Sequence, residues 1–333
     1  MKGMVIPMQD KLRREIDYLR ISITDRCNLR CVYCMPEEGV ACKSHDEILT
    51  YEELERLCII FAKLGVTKIK LTGGEPLVRK DCSLLVHRLK QIQGIKSISI
   101  TTNGVLLKDY IEELVKVGLN SINISLDSMC EKTARRITRR NLWDETRKGI
   151  EKALKYPSLN IKLNCVPIKG MNEAELIKIA ELAREHRIHV RFIEMMPIGL
   201  GRDFEFMRED EVIHLLENSI GKLTPCEESL GNGPAHYFIV PGYQGKIGFI
   251  SARTHKFCDQ CNRIRLTSEG FLKTCLQYDT GCDLREMLRS SSTDQEIEDA
   301  IRKAIDGKPQ EHHFDDMNYE ASVDQRKMFH IGG

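Results

Sequence analysis

From residue 17 to residue 195 the chain repeats one pattern: a short β-branched run, then a longer run whose apolar positions recur every three or four residues. The short runs, at 19–23, 66–71, 97–102, 119–126, 160–166 and 188–195, predict strands. The longer ones, at 50–64, 83–92, 109–117, 143–155 and 172–186, predict amphipathic helices. Thr50-Tyr51-Glu52-Glu53 has the form of a capping box, and Gly65 supplies the stop. Strand and crossover helix in alternation imply a parallel sheet. With six strands where a closed barrel has eight, the expected fold is α/β, an incomplete (β/α)6 TIM-like barrel open on one side. Near residue 226 the alternation stops. Residues 227–234 read as a turn or linker, and 237–240 and 246–250 as short strands. A boundary is therefore expected at 228/229, between a 1–228 barrel and a smaller 229–333 α+β region that closes the open side.

The residues at the carboxyl ends of the predicted strands are unlike the strands themselves. They comprise a cysteine loop, Gly73-Gly74-Glu75-Pro76, Thr101-Thr102-Asn103-Gly104, Ser125-Leu126-Asp127, Asn164 and Met195-Met196-Pro197. In parallel α/β barrels chemistry collects on this face. Cys27-x3-Cys31-x2-Cys34 offers three thiolates and no fourth. Three can hold a cubane 4Fe-4S cluster and leave one iron open, whereas a structural zinc site takes four ligands. Buried core cysteines would be the bland alternative, but this loop lies among turn formers and charges. A second set, Cys258-x2-Cys261-x13-Cys275, admits two readings. With Cys282 it makes a four-cysteine zinc ribbon, and without it a second three-thiolate cluster. Between these cysteines, Arg263 and Arg265 fall on one face of a strand-like run. Paired guanidiniums suit phosphate or the acceptor edge of a base, although an arginine pair with no such neighbours is ordinarily just a solvated face.

Composition narrows the partners. The formal net charge is +1, so no global field draws nucleic acid or a membrane surface, and an anionic ligand must be met by local cations. Arg20, Lys70 and Lys162 put cations on three separate predicted strands, and no G-x4-G-K-[ST] loop occurs in the chain. The 13 cysteines are an odd count, and the Met4-Val5-Ile6 run is too short for a secretory core. Together these predict a reduced, cytoplasmic setting with metal-binding thiols rather than disulfides. No apolar run approaches the roughly 18 residues that span a bilayer.

The first cysteine set, with Tyr33 just before its last member, resembles the signature of the radical S-adenosylmethionine (SAM) enzymes. Several longer stretches are similar to one family among them, the GTP 3′,8-cyclases that open molybdenum cofactor biosynthesis. These are Thr24-Asp25-Arg26-Cys27-Asn28, Phe192-Ile193-Glu194-Met195-Met196-Pro197-Ile198-Gly199, Cys261-Asn262-Arg263-Ile264-Arg265-Leu266-Thr267 and the terminal Ile331-Gly332-Gly333. The resemblance implies a SAM-binding 4Fe-4S cluster on Cys27, Cys31 and Cys34, with Tyr33, Gly74, Ser125 and Met196 lining the SAM site. A second 4Fe-4S cluster on Cys258, Cys261 and Cys275 would meet guanine, leaving Cys282 a bystander. Arg20, Lys70, Thr101, Lys162, Arg263, Ile264 and Arg265 would hold GTP, and Arg263, Arg265 and the Gly332-Gly333 tail would act in catalysis. The implied reaction is that of a carbon–carbon lyase: a 5′-deoxyadenosyl radical takes the ribose 3′ hydrogen, and C3′ bonds to guanine C8. The implied partners are an electron donor, a cyclic pyranopterin monophosphate synthase that receives the product, and a second copy in a homodimer. A radical SAM enzyme acting on a peptide and a zinc-ribbon binding protein are the alternatives.

Overall fold

In the central strands of the sheet the side chains alternate between two very different surroundings, and that alternation sets the architecture. The computed structural model describes residues 7–41, 43–228, 230–314, 324 and 326–332. Six strands follow the sequence pattern: β1 (Tyr18–Ser22), β2 (Lys68–Thr72), β3 (Ser97–Thr102), β4 (Ser121–Ser125), β5 (Asn160–Cys165) and β6 (His189–Ile193). Between and after them run α1 (Tyr51–Lys63), α2 (Cys82–Lys90), α3 (Leu107–Lys116), α4 (Glu131–Thr138), α5 (Trp143–Ala153), α6 (Leu176–Glu185) and α7 (Glu209–Ile220). At the start of α1 the expected capping box is present: Glu53 N–H donates to Thr50 Oγ1 at 3.1 Å, and Thr50 N–H donates to Glu53 Oε2 at 2.7 Å. The sequence pattern missed α4 because charged residues dilute its apolar stripe to Ala134 and Ile137.

The remaining strands join the same sheet. β7 (Thr224–Cys226), β8 (His236–Ile239) and β9 (Ile247–Ile250) extend one edge, while β10 (Arg263–Leu266), β11 (Phe271–Lys273) and β12 (Gly281–Asp283) extend the other. The order is β12-β11-β10-β1-β2-β3-β4-β5-β6-β9-β8-β7, with β10 parallel to β1 and β9 parallel to β6. The six-unit run thus gains a parallel strand on each side, and the sheet stays open between β12 and β7. Residues after 228 contribute to both edges instead of forming a sheet of their own. α8 (Leu284–Arg289), α9 (Asp294–Asp306) and α10 (Met328–Ile331) complete the described elements.

One face of β1–β6 and β10 packs outward on the helices. Leu19, Ile21, Ile69, Leu71, Ile98, Ile100, Ile122, Ile124, Leu163, Val190 and Ile264 share one core with Leu54, Leu57, Phe61, Leu85, Leu114 and Ile179 from the helices. The alternate residues face inward and are polar: Arg20, Lys70, Ser99, Thr101, Asn123, Lys162, Arg191, Arg263 and Arg265. Register lines the cations up, since Arg20 lies directly between Arg265 on β10 and Lys70 on β2. Ile264, grouped with the substrate contacts on sequence, is turned the other way. It is 0% exposed in the outer core, so only its main chain faces the interior. Ile264→Ala is accordingly expected to cost about 2–5 kcal/mol in denaturant unfolding. A loss under about 1 kcal/mol would mean that the side chain is not a core residue.

Candidate active site

The inward faces and the loops at the carboxyl ends of the strands enclose a cavity of about 630 Å³. At one end stands the first cysteine loop. Gly74 N–H donates to Thr24 O at 2.7 Å and Glu75 N–H to Arg26 O at 2.8 Å, which lays the Gly73-Gly74-Glu75 turn against residues 24–26. A Cβ on Gly74 would run into the Arg26 carbonyl, so this glycine serves the close approach of two chain segments. Cys27, Cys31 and Cys34 all line the cavity. Burial pushes the Cys27 thiol up to about 11 and the Cys34 thiol up to about 12, and holds Cys31 well above its ordinary value. Such thiols release their protons to a metal rather than to water. Three of them, lining one open cavity with no fourth thiol among its lining residues, are the kind of donor set that a three-ligand 4Fe-4S cluster takes.

Two buried carboxylates brace this end. Glu75 accepts from Leu77 N–H at 3.1 Å, Thr102 Oγ1 at 2.7 Å and Asn103 N–H at 2.6 Å, tying the loop after β2 to that after β3. Burial raises it to about 7 despite those donors. Asp127, also raised by burial, accepts from Tyr33 Oη at 2.6 Å and Val166 N–H at 2.8 Å. Tyr33, Gly74, Ser125 and Met196, the residues expected around SAM, line the same cavity.

The other end is cationic. Burial, then the charges of Arg20, Arg191, Lys162 and Arg265, hold Lys70 well below its ordinary value. Burial and Arg191 bring Lys162 down to about 8. Burial, Arg20 and Arg263 likewise depress Arg265. Thr101 lies beside this group, with Asn123 Nδ2 3.4 Å from its hydroxyl. Arg191 did not stand out in the sequence, although a charge at an inward position of the apolar 188–195 run was the available signal. It is fixed by bonds to Asn164 Oδ1 at 2.6 and 2.9 Å and to Asn123 Oδ1 at 2.7 Å. The chain end reaches this wall as well: Arg265 Nη1 donates to Gly332 O at 2.6 Å. Gly332 has φ +83°, and a Cβ there would meet Thr72 Cγ2 at 2.6 Å. Gly333, paired with it on sequence, lies outside the described residues.

Cys258, Cys261 and Cys275 line an adjoining recess of about 70 Å³, which shares Met196, Arg263, Arg265 and Leu276 with the main cavity. Cys282 is not beside them. It sits on β12 with its thiol 3.9 Å from Ala300 O, packed against the outer core, so the four-cysteine ribbon does not form. Burial alone would raise the Cys261 thiol, but the Lys308 and Arg263 cations outweigh it and bring it to about 6. Lys308, missed on sequence, is buried and donates to Arg263 O at 2.9 Å and Thr274 O at 2.5 Å. Arg14 donates to Cys258 O at 2.9 Å. This donor set, three thiols beside buried cations, also fits a cluster with one open iron.

Comparison with known proteins identifies the family. Residues 21–183 match the Radical SAM superfamily and residues 188–314 match Molybdenum Cofactor Synthesis C. A GTP 3′,8-cyclase of Syntrophomonas wolfei is 45% identical over 98% of this chain and 100% of its own length. The chain belongs to the GTP 3′,8-cyclase family. Another member, from Thermodesulfovibrio yellowstonii, is 46% identical over 91% of the chain and 95% of its own. The family extends to a Dictyostelium discoideum molybdenum cofactor biosynthesis protein 1, 42% identical over 90% of this chain but only 48% of that longer protein. The fold is shared with Streptococcus suis SuiB bound to S-adenosylmethionine, at a TM-score of 0.64 and 16% identity, covering 87% of this chain and 67% of that one.

The depressed Lys162 gives the cationic end a pH signature. Lys162 is charged below about pH 8 and neutral above it, so its attraction for an anion is present at low pH and lost as pH rises. Calorimetric titration with tripolyphosphate should show Lys162→Met weakening binding about three- to ten-fold at pH 7 and hardly at all at pH 9. An equal loss at both values would place the charge elsewhere.

Proposed function

We propose that this chain converts GTP to (8S)-3′,8-cyclo-7,8-dihydroguanosine 5′-triphosphate, the first step of molybdenum cofactor biosynthesis. The observation that carries this reading is one cavity with three thiols at one end, clustered buried cations at the other, and a second set of three thiols beside the cations. Held by Cys27, Cys31 and Cys34, a 4Fe-4S cluster with SAM would supply the one-electron chemistry that removes the ribose 3′ hydrogen; as C3′ bonds to guanine C8, one electron from the separate donor and one proton would complete the dihydro product.

The protein's own part is placement. Arg20, Lys70, Lys162 and Arg191 hold the triphosphate by charge from the inward face of the sheet. Arg263 and Arg265 reach the guanine end, with Thr101 and the Ile264 main chain completing the wall. Tyr33, Gly74, Ser125 and Met196 line the SAM side, with Asp127 and Glu75 fixing the loops that carry them. The Gly332 carbonyl holds one N–H of Arg265 and so sets the direction of the rest of that guanidinium. Holding C3′ near the SAM end by fixing both ends of GTP turns a bimolecular encounter into a positioned one, and enclosure keeps water from the radical. In this reading the enzyme is a carbon–carbon lyase with two 4Fe-4S clusters. Residues 1–228 serve SAM and 229–333 serve guanine. It works in the cytoplasm, takes electrons from a separate donor, hands its product to the cyclic pyranopterin monophosphate synthase, and forms a homodimer.

Anaerobic reconstitution followed by turnover with GTP deuterated at C3′ tests the reading. About eight irons per chain are expected for two cubanes, with deuterium transferred to 5′-deoxyadenosine. SAM cleavage without deuterium transfer at full iron loading would overturn the choice of substrate or of abstraction site. Cys258→Ser should retain part of the SAM cleavage and lose cyclisation. Normal cyclisation in that variant would remove the second cluster from the substrate's anchorage.

A further inference from the structure

Lys273, on β11, is 0% exposed, and it is the cross-strand partner of Arg265 on β10. A buried ammonium is costly unless paired. Its partner comes from 51 residues further along the chain: Lys273 Nζ donates to Asp324 Oδ2, and also to Tyr278 O at 2.7 Å. Asp324 is itself buried, and its N–H donates to Gln277 O at 2.8 Å. Arg326 fastens the same spot from outside. Its N–H donates to Asp324 Oδ1 at 2.8 Å, its Nη1 reaches Asp279 Oδ1 at 2.5 Å, and its guanidinium lies 4.2 Å over the Phe271 ring. Beyond this anchor α10 buries Phe329 and Ile331, and Gly332 arrives on Arg265. Two cross-strand neighbours therefore grip the two ends of one short segment, Lys273 at Asp324 and Arg265 at Gly332.

We propose that the buried Lys273–Asp324 pair is a latch that positions the C-terminal tail, and through Gly332 the Arg265 guanidinium, in the active site. Both are positioning residues and touch no substrate. Neither residue lines the cavity or the adjoining recess, and the pair acts from eight residues along the chain through α10. This deepens the proposed function and rests on the tail being part of that site.

Hydrogen exchange of the holoenzyme, read without substrate, isolates the latch from the choice of substrate. Asp324→Asn is expected to speed amide exchange in residues 326–332 by about ten-fold or more, with the melting point of the barrel and the iron content kept. Unchanged exchange would overturn the proposal. If unpaired Lys273 unfolds that variant, Lys273→Met/Asp324→Leu removes both charges and keeps the volume. Fast tail exchange in a stable double variant supports the latch, and full protection overturns it. Kinetics then separate positioning from mere stability. Asp324→Asn should lower kcat/KM about ten-fold in the full chain and add nothing further once Gly332 and Gly333 are deleted, because both changes act through one element. An equal loss in the deleted background would show that the pair acts elsewhere. A deletion that leaves turnover unaltered would instead remove the tail from the active site, with the exchange result still deciding the latch.

Discussion

The structure depends on a charge problem that it keeps unsolved. Arg20, Lys70, Lys162, Arg191, Arg263 and Arg265 all point into the concave side of one sheet, and burial together with mutual repulsion weakens the hold of several on their protons. Like charges in a low-dielectric space raise the energy of the folded chain. That cost is tolerable because the opposite face of the same strands is fully apolar and locked under the helices. Strand alternation links the two effects, since each residue that adds to the outer core places the next one in the cavity. A polyanion entering the cavity relieves the repulsion, so a large share of its affinity is already present in the folded protein.

The two ends of the cavity are built differently because they do different work. Around the first cysteine loop the chain spends its hydrogen bonds on itself: Glu75 joins two loops, Asp127 joins Tyr33 to the end of β5, and Gly74 exists to let backbone touch backbone. Three thiols are left lining open space. At the cationic end the donors are aimed inward, and Asn123 and Asn164 orient Arg191 without neutralising it. Carboxylates in their place would have paired with the arginines and cancelled the field that an anion meets.

Extending the sheet on both sides is the task of the C-terminal residues. β10 beside β1 brings Arg263 and Arg265 level with Arg20, and β9 beside β6 extends the opposite wall. Met196, Arg263 and Arg265 lie between the cavity and the recess of the second cysteine set. The tail returns across β10 and β11 to the same place. Contributions from residues near 20, 196, 263, 308 and 332 thus meet within a few side-chain lengths.

What the sequence by itself determined is whatever has a local period or spacing. The alternation of six strands with helices, the capping box at Thr50 and the three thiols of Cys27, Cys31 and Cys34 are all carried by residues within one or two turns of each other. The inward Arg20 and Lys70 could be read because each interrupts an apolar strand. Tertiary structure alone decided the rest. Whether Cys282 joins Cys258 and Cys261 depends on the direction of β12, and spacing is silent on that. Arg191, Lys308 and Arg14 look like surface charges until the strands beside them are placed. Ile264 shares a matched motif with Arg263 and Arg265 yet points the opposite way, because a strand turns each successive side chain to the other face. Lys273 and Asp324 find each other across 51 residues. Such pairs leave no trace in local composition, because what selects them is the cost of leaving a buried charge alone, and burial exists only once the chain has folded.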